Sequence, residues 1–148
     1  MAPGQTEGTV SSHPHPRSQL SRGPLRSLAA VLGGGVLGSA ARAGIGELMS
    51  HPADGFPASV LAVNLIGSFL LGYLVSRWER TAPDRRWSVQ FWGIGLLGSF
   101  TTFSTFSVDL IMLVDAARVG PAVTYLMASL VGGLASALLG LRLGGGAT

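Results

Sequence analysis

The sequence predicts an all-α integral membrane protein with four transmembrane helices. Of its 148 residues, 47% are hydrophobic and only 11% are charged, whereas about a quarter of the residues in a typical soluble domain are charged. The hydrophobic residues form four long runs, each close to the length of a helix that crosses a bilayer. We place the four spans at residues 28–45, 57–76, 89–113 and 121–141.

These spans define a membrane domain at residues 25–143, between an N-terminal tail, 1–24, and a C-terminal tail, 144–148. The N-terminal tail is rich in Pro, Ser and Gly and has almost no hydrophobic residues, which predicts disorder. His13 and His15 lie in this tail, but without a third ligand they do not define a metal site. The sequence contains no cysteine, which excludes disulfide bonds and thiol chemistry.

The charged residues indicate membrane topology rather than nucleic-acid binding. All 10 basic residues are arginines, and most of them flank the hydrophobic runs, where positive charge sets the orientation of a membrane protein. With four spans, both tails and the second loop share one side of the membrane. That side carries eight arginines, and the other side carries two, Arg42 and Arg118. This bias predicts a cell-membrane protein with both termini in the cytoplasm.

The first span is interpreted as an uncleaved transmembrane helix. The sequence Ala41-Arg42-Ala43 resembles a signal-peptide cleavage site, but arginine is unusual within such a site and glycines interrupt the apolar segment. Gly34 and Gly38 are spaced for close approach to another helix. Arg42, near the far end, either extends to the membrane interface or supplies positive potential at a vestibule.

The second and fourth spans each contain one prominent polar side chain. Asn64 lies in the middle of the second span, where a carboxamide needs a hydrogen-bonding partner. It either bonds to a neighbouring helix or lines a polar path, and Ser68 lies one turn further along the same face. Tyr125 is the strongest donor of the fourth span, where small residues recur at every fourth position and predict close helix packing.

Hydroxyl and aromatic side chains alternate densely in the middle of the third span, at residues 98–107. Phe103 and Phe106 share one helical face, and Ser104 and Ser107 share the next. Hydroxyl groups are unfavourable in a bilayer unless they have partners, so this segment is expected to face protein, water or an ion. Glycines at its start permit a bend or a break in the helix. The simpler alternative is a face of small residues for helix packing.

Together these motifs resemble those of the Fluc (CrcB) family of fluoride channels. The resemblance covers about residues 28–141 and is most specific in the third span. The matching segments are Gly33-Gly34-Gly35…Gly38…Arg42, Val63-Asn64-Leu65-Ile66-Gly67-Ser68-Phe69 and Gly98-Ser99-Phe100-Thr101-Thr102-Phe103-Ser104-Thr105-Phe106-Ser107. The family pattern then continues with an acidic residue, commonly glutamate, where this sequence has Asp109.

The resemblance implies a passive, fluoride-selective channel that lowers cytoplasmic fluoride, and not an enzyme. It implies an antiparallel dimer of four-helix subunits, with the third helix broken in mid-membrane and two fluoride pores lined by both subunits. It also implies a structural sodium ion on the dimer axis, bound by the backbone carbonyls of Gly98 and Thr101. The pore residues that it implies are Asn64, Phe103, Ser104, Thr105, Phe106, Ser107 and Tyr125, with Arg42 at the vestibule.

The residue types suit fluoride conduction. Fluoride is a small, strongly hydrated hydrogen-bond acceptor, so a pore must replace its water with donors such as amides and hydroxyls. The edge of a phenyl ring carries positive potential, so Phe103 and Phe106 can face an anion without binding it too tightly for release.

The arginine bias affects which partner completes an antiparallel dimer. A homodimer of this kind requires one sequence to insert in both orientations in similar amounts. A bias of eight arginines to two instead favours a related second chain with the opposite bias, and pairing of the chain with itself is the alternative.

Two other functions are compatible with four short spans. A proton-coupled multidrug transporter needs a carboxylate within the membrane, and the first span has none before Glu47. A structural membrane protein without transport would leave the hydroxyl and phenylalanine pattern of the third span unexplained. An enzyme is disfavoured because no acid–base pair or nucleophile–base set can be identified.

Overall fold

The computed structural model describes residues 22–50, 55–80 and 86–145. These residues are helical apart from short connections. Four helical segments are long and apolar enough to cross a membrane, in agreement with the predicted four-span fold. The predicted disorder of the N-terminal tail and the pair formed by His13 and His15 lie outside the described residues.

The first two spans and the last are single helices, and the third is divided between two. The helices are α1 (Arg22–Leu48), α2 (Ala58–Arg80), α3 (residues 86–100), α4 (Phe103–Asp115) and α5 (Val119–Gly145). The helices α1, α2 and α5 each continue three or four residues past the C-terminal end of the predicted span. The reason is that hydropathy marks the hydrocarbon core alone, whereas the headgroup region on either side adds further depth in which polar residues remain helical.

The helix α3 is irregular along most of its length. One α-helical turn, Arg86–Ser88, leads into the π-helix Val89–Leu97, and a last α-helical turn, Gly98–Phe100, follows. The N–H of Gly98 accordingly bonds to the carbonyl of Gly93, five residues back. Wide turns of this kind are rare and are frequently found at functional sites.

The helices α1 and α3 are in backbone contact. A Cβ atom on Gly34 would overlap the carbonyl oxygen of Phe91 and would lie 2.8 Å from the nitrogen of Leu96. A Cβ atom on Gly38 would overlap the carbonyl oxygen of Leu96. The close approach predicted from the spacing of these two glycines is therefore confirmed.

The helices α2 and α5 pack in the same manner. A Cβ atom on Gly140 would overlap the carbonyl oxygen of Phe69, and one on Gly144 would overlap that of Tyr73. Residue numbers increase in the same direction along both helices, so the two are parallel. Residue numbers also increase in the same direction along α1 and α3 where they touch, so these two helices are parallel as well. The bundle is built from these two parallel pairs.

A small hydrophobic core joins α4, α5 and the start of α2. Phe106, Leu113, Ala122 and Tyr125 are buried in it. The ring of Phe56 packs edge-on against Tyr125, with centroids 5.8 Å apart. Many large hydrophobic side chains of all four spans face outward instead, as expected of helices whose surroundings are lipid or further protein.

Candidate functional site

The chain is extended for two residues between α3 and α4. Thr101 has φ −78° and ψ 154°, and Thr102 has φ −146° and ψ 121°. The N–H and the Oγ1 of Thr101 both donate to the carbonyl of Leu97, at 3.1 and 3.0 Å. The third span is therefore interrupted near its middle, at these two threonines.

Asn64 of α2 binds the interrupted backbone with both ends of its carboxamide. Its Oδ1 accepts a hydrogen bond from the N–H of Thr102 at 2.9 Å, and its Nδ2 donates to the carbonyl of Thr102 at 3.1 Å. In an uninterrupted helix, that N–H would bond to the carbonyl of Gly98. Asn64 thus satisfies a backbone N–H that the interruption deprives of its helical partner, and it also donates to the carbonyl of Thr102, which as the N-cap carbonyl accepts the first bond of α4.

Thr102 is also the N-cap of α4. Its Oγ1 accepts a hydrogen bond from the N–H of Thr105 at 3.2 Å, which satisfies one of the free donors at the start of the helix. The same oxygen lies 3.0 Å from Thr105 Oγ1 and 3.2 Å from Ser104 Oγ. A hydroxyl has one hydrogen and two lone pairs, so Thr102 donates to one of these hydroxyls and accepts from the other. One O–H, on Ser104 or on Thr105, is left for another acceptor.

Phe103 and Phe106 lie one turn apart at the start of α4, with ring centroids 5.9 Å apart. The face that they were predicted to share is confirmed. Phe103 is 80% exposed, whereas Phe106 is 8% exposed. Phe106 also contacts Tyr125, with centroids 5.1 Å apart. One ring therefore faces outward, and the other belongs to the hydrophobic core.

The first of two cavities at the interruption has a volume of about 390 Å³ and is bordered by α2, α3, α4 and α5. Both rings line it, together with Gly98 and Thr101. The remaining polar side chains in its lining are Asn64, Ser68, Thr102 and Ser129. Among the described residues that line this cavity, none is charged.

Ser129 has the one buried side-chain oxygen for which the described part of the chain supplies no hydrogen-bonding partner. A buried hydroxyl without a partner is costly and usually has a structural or functional explanation. Because Ser129 is among the residues that line the first cavity, an acceptor inside the cavity is a candidate partner for its hydroxyl.

The second cavity has a volume of about 360 Å³ and is bordered by α1, α2 and α4. Its polar and charged lining consists of Ser39, Arg42, Ser59, Thr102, Thr105 and Asp109. Thr102 borders both cavities. The pair formed by Asn64 and Thr102 therefore lies between a charged cavity and an uncharged one.

Three of the predicted pore residues line neither cavity: Ser104, Ser107 and Tyr125. The Oγ of Ser107 donates to the carbonyl of Phe103, one turn earlier, at 2.9 Å. Tyr125 is fully buried, and its hydroxyl lies 3.5 Å from Asp109 Oδ2, a long distance for a hydrogen bond. The other predicted pore residues border one cavity or the other.

Thr102 and Ser129 were not predicted as site residues, and neither were Ser39 and Ser59 of the second cavity. Threonine is a favoured N-cap, so the role of Thr102 could have been predicted once a break after residue 101 was assumed. Ser129 recurs at four-residue spacing with Gly133 and Ala137, which is typical of a packing face. Spacing alone does not distinguish a hydroxyl that faces a cavity from one that faces a neighbouring helix.

Fold and site together define a four-span helical membrane protein with an interrupted third span and an uncharged polar cavity beside the interruption. Residues 29–141 match the family model described as "CrcB-like protein, Camphor Resistance (CrcB)". This match covers well over half of the chain, and the chain belongs to the CrcB family. The family resemblance predicted from the motifs is confirmed.

Several similar proteins carry the name fluoride-specific ion channel FluC. The one from Oceanobacillus iheyensis is 40% identical over 120 residues, which are 80% of this chain and 92% of that protein. One from Thermus thermophilus is 43% identical over 113 residues, or 76% of this chain and 90% of the relative. The protein from Agrobacterium fabrum is 40% identical over 122 residues, or 80% and 95% of the two chains.

Proposed function

We propose that this chain forms a fluoride-selective channel through which fluoride leaves the cell passively, and that it is not an enzyme. The observation that carries the proposal is the first cavity, where uncharged donors and two phenyl rings meet at an interrupted membrane helix. Relatives about 40% identical over most of their length are named as fluoride-specific channels, which supports the same conclusion.

The lining of the first cavity suits a small anion that must be released again. The buried hydroxyl of Ser129 lacks a partner among the described residues, and Nδ2 of Asn64 retains a second N–H. These donors replace water around fluoride, while the ring edges of Phe103 and Phe106 add weak positive potential. A full positive charge here would bind fluoride too tightly for conduction. Arg42, in the second cavity, attracts anions toward the site without binding them within it.

A second subunit completes the site. Phe103, near the middle of the third span, is 80% exposed, and Ser104 beside it is exposed as well. A polar group in the hydrocarbon core is unfavourable unless protein or water covers it. We place the partner subunit on this surface in antiparallel orientation, as the resemblance implies. The eight-to-two arginine bias favours a related second chain over a second copy.

Sodium fits the interruption as a structural ion. The described residues contain no group of three acidic or histidine side chains that could hold a metal. The carbonyl of Gly98, however, has lost its helical donor, because the N–H of Thr102 bonds to Asn64. Backbone carbonyls suit a hard cation. Gly98 and Thr101 would bind sodium at the dimer axis, where the ion would stabilise the interruption.

Growth in fluoride tests this function in cells. In a bacterial strain that lacks its own fluoride exporters, the chain, expressed with its related partner where one is required, should restore growth at inhibitory fluoride concentrations. Phe103→Ile, expressed at the same level, should not restore growth. Equal growth with the variant and the unaltered chain, or no rescue by a well-expressed unaltered chain, would contradict the proposal.

A further inference from the structure

Asn64 connects α2 to the interruption by an unusual pair of hydrogen bonds. Both partners belong to the backbone of one residue, Thr102, whose N–H and carbonyl are each bound by the same carboxamide at 2.9 and 3.1 Å. A neighbouring strand would offer an extended residue the same pairing of donor and acceptor. The side chain of Asn64 therefore acts here as a replacement for a peptide group.

This pairing favours the interrupted form of the third span over a continuous helix. In the continuous form, the N–H of Thr102 bonds to Gly98 and Asn64 loses its acceptor role. In the interrupted form without Asn64, the backbone N–H of Thr102 would lie unsatisfied at membrane depth, which is unfavourable. The same residue, Thr102, begins α4 by capping it. The position of the interruption therefore also fixes where Phe103 and Phe106 lie.

We infer that Asn64 is a positioning residue that holds the interruption in place, in addition to any contact it makes with the anion. This inference rests on the proposed function, because the features that Asn64 positions are the two rings and the sodium-binding carbonyls. One N–H of its carboxamide is bonded to the carbonyl of Thr102, so a single N–H is left for fluoride.

The inference predicts a link between Asn64 and sodium. The proposed sodium ion binds the interrupted form, in which the N–H of Thr102 bonds to Asn64 and no longer to the carbonyl of Gly98. If a variant lowers the population of the interrupted form, its apparent affinity for sodium falls by the same factor. A residue that contacts only the anion would change fluoride transport without changing the sodium dependence.

The variant Asn64→Ser tests this link, with Ser68→Ala as the matched control. Serine is too short to reach both backbone groups of Thr102. Ser68 lies one turn further along α2 in the lining of the same cavity and is not bonded to the interruption. Fluoride efflux from liposomes is measured while sodium is titrated against N-methylglucamine. Half-saturating sodium should rise about tenfold in Asn64→Ser, the change expected for one lost hydrogen bond, and should stay unchanged in Ser68→Ala.

A second variant removes the hydrogen bond from the N–H of Thr102 to Asn64 Oδ1 without altering any side chain. Replacing Thr102 by its α-hydroxy acid turns the backbone N–H into an ester oxygen and leaves Asn64 intact. Because the new ester also weakens the carbonyl of Thr101, a proposed sodium ligand, this variant is assessed by hydrogen–deuterium exchange, which should be faster at residues 98–106 than in the unaltered protein. If Asn64→Ser does not assemble, this exchange measurement decides. Reduced efflux with unchanged half-saturating sodium in assembled Asn64→Ser would overturn the inference.

Hydrogen–deuterium exchange separates this inference from the proposed function, because it does not depend on transport. Peptides that cover residues 98–106 should exchange faster in Asn64→Ser than in the unaltered protein, and Ser68→Ala should match the unaltered protein. Unchanged exchange at the interruption would overturn the role of Asn64. Absent fluoride efflux from the unaltered protein would contradict the proposed function instead.

Discussion

Phe103 and Phe106 lie one turn apart, but their surroundings differ. Phe103 is 80% exposed, whereas Phe106 is 8% exposed and packs against Tyr125. The first ring contributes little to the stability of the fold, and the second is part of its core. Substitution of each ring therefore separates the conduction of fluoride from the stability of the fold.

Replacing either phenylalanine by isoleucine should lower fluoride efflux from liposomes by orders of magnitude, because isoleucine lacks a ring edge with positive potential. Phe103→Ile should leave the thermal stability of the subunit unchanged. Phe106→Ile should also destabilise it by about 1 kcal/mol, because its shape differs at a packed position. Unaltered efflux in either variant, measured on assembled protein, would exclude that ring from the pore.

Ser129→Ala should lower fluoride efflux about tenfold, the loss of one hydrogen bond to the anion. The same change should leave thermal stability equal or higher, because it removes a buried hydroxyl without a partner among the described residues. Thr124→Val is the control on the same helix, since the hydroxyl of Thr124 is exposed and donates to the carbonyl of Gly120 at 3.0 Å. Efflux should not change in the control, and equal efflux in both variants would exclude Ser129 from the path.

The residues that line the first cavity were easier to predict from the sequence than the hydrogen-bonding and packing partners of those residues. Phe103, Phe106 and Asn64 were all predicted, and all line the first cavity. The hydrogen bonds of Asn64 to Thr102 could not be predicted, because they join residues 38 positions apart and depend on how α2 lies beside the interruption. The burial of Tyr125 depends in the same way on packing between separate helices.

At the scale of the helices, backbone contact between α1 and α3 holds the interrupted span in place. Gly38 allows this contact, because a Cβ atom there would overlap the carbonyl oxygen of Leu96 and would lie 3.1 Å from the nitrogen of Phe100. Backbone atoms cannot move aside as a flexible side chain can. The last turn of α3, just before the interruption, is therefore positioned by a glycine on another helix.

Gly38→Ala should destabilise the protein by about 1–3 kcal/mol, the usual effect of overpacking, and should reduce the yield of assembled protein. Gly44→Ala is the matched control in the same helix, since nothing lies within 4 Å of a Cβ atom placed there. That change should be neutral or slightly stabilising, because alanine favours helix over glycine. Thermal unfolding in detergent measures both, and equal stability of the two variants would contradict the assigned contact.

The helices themselves could be predicted from hydropathy. The spacing of Gly34 and Gly38 predicted that α1 closely approaches another helix, which is α3 in the structure. The π-helical geometry of Val89–Leu97 could not, because its composition is that of an ordinary apolar span. The glycines at the start of the hydroxyl segment predicted a bend or a break, and the resemblance implied a break at Gly98 and Thr101. The interruption lies at Thr101 and Thr102, where Asn64 and the cap of α4 supply hydrogen-bonding partners for the backbone.

At the scale of the whole molecule, the distribution of arginines predicts a single orientation. Eight arginines lie on the side of the termini and two on the other, so both termini should face the cytoplasm. The chain has no cysteine, which makes single-cysteine labelling direct. In intact cells, an impermeant thiol reagent should label Ala116→Cys and should not label Ala82→Cys, and fluoride efflux should require a related chain.

Comparable labelling at both positions would indicate insertion in both orientations. The partner would then be a second copy of the same chain. An inverted result, with labelling at Ala82→Cys alone, would contradict the orientation that the arginine bias predicts.

The central claim is that fluoride crosses the membrane at the interrupted third span. The most direct measurement is anion efflux from liposomes that contain the purified, assembled protein and are loaded with fluoride or with chloride. We predict rapid fluoride efflux without a pH gradient and chloride efflux no faster than from protein-free liposomes. Equal efflux of both anions, fluoride efflux that requires a proton gradient, or no fluoride efflux from correctly assembled protein would contradict the account.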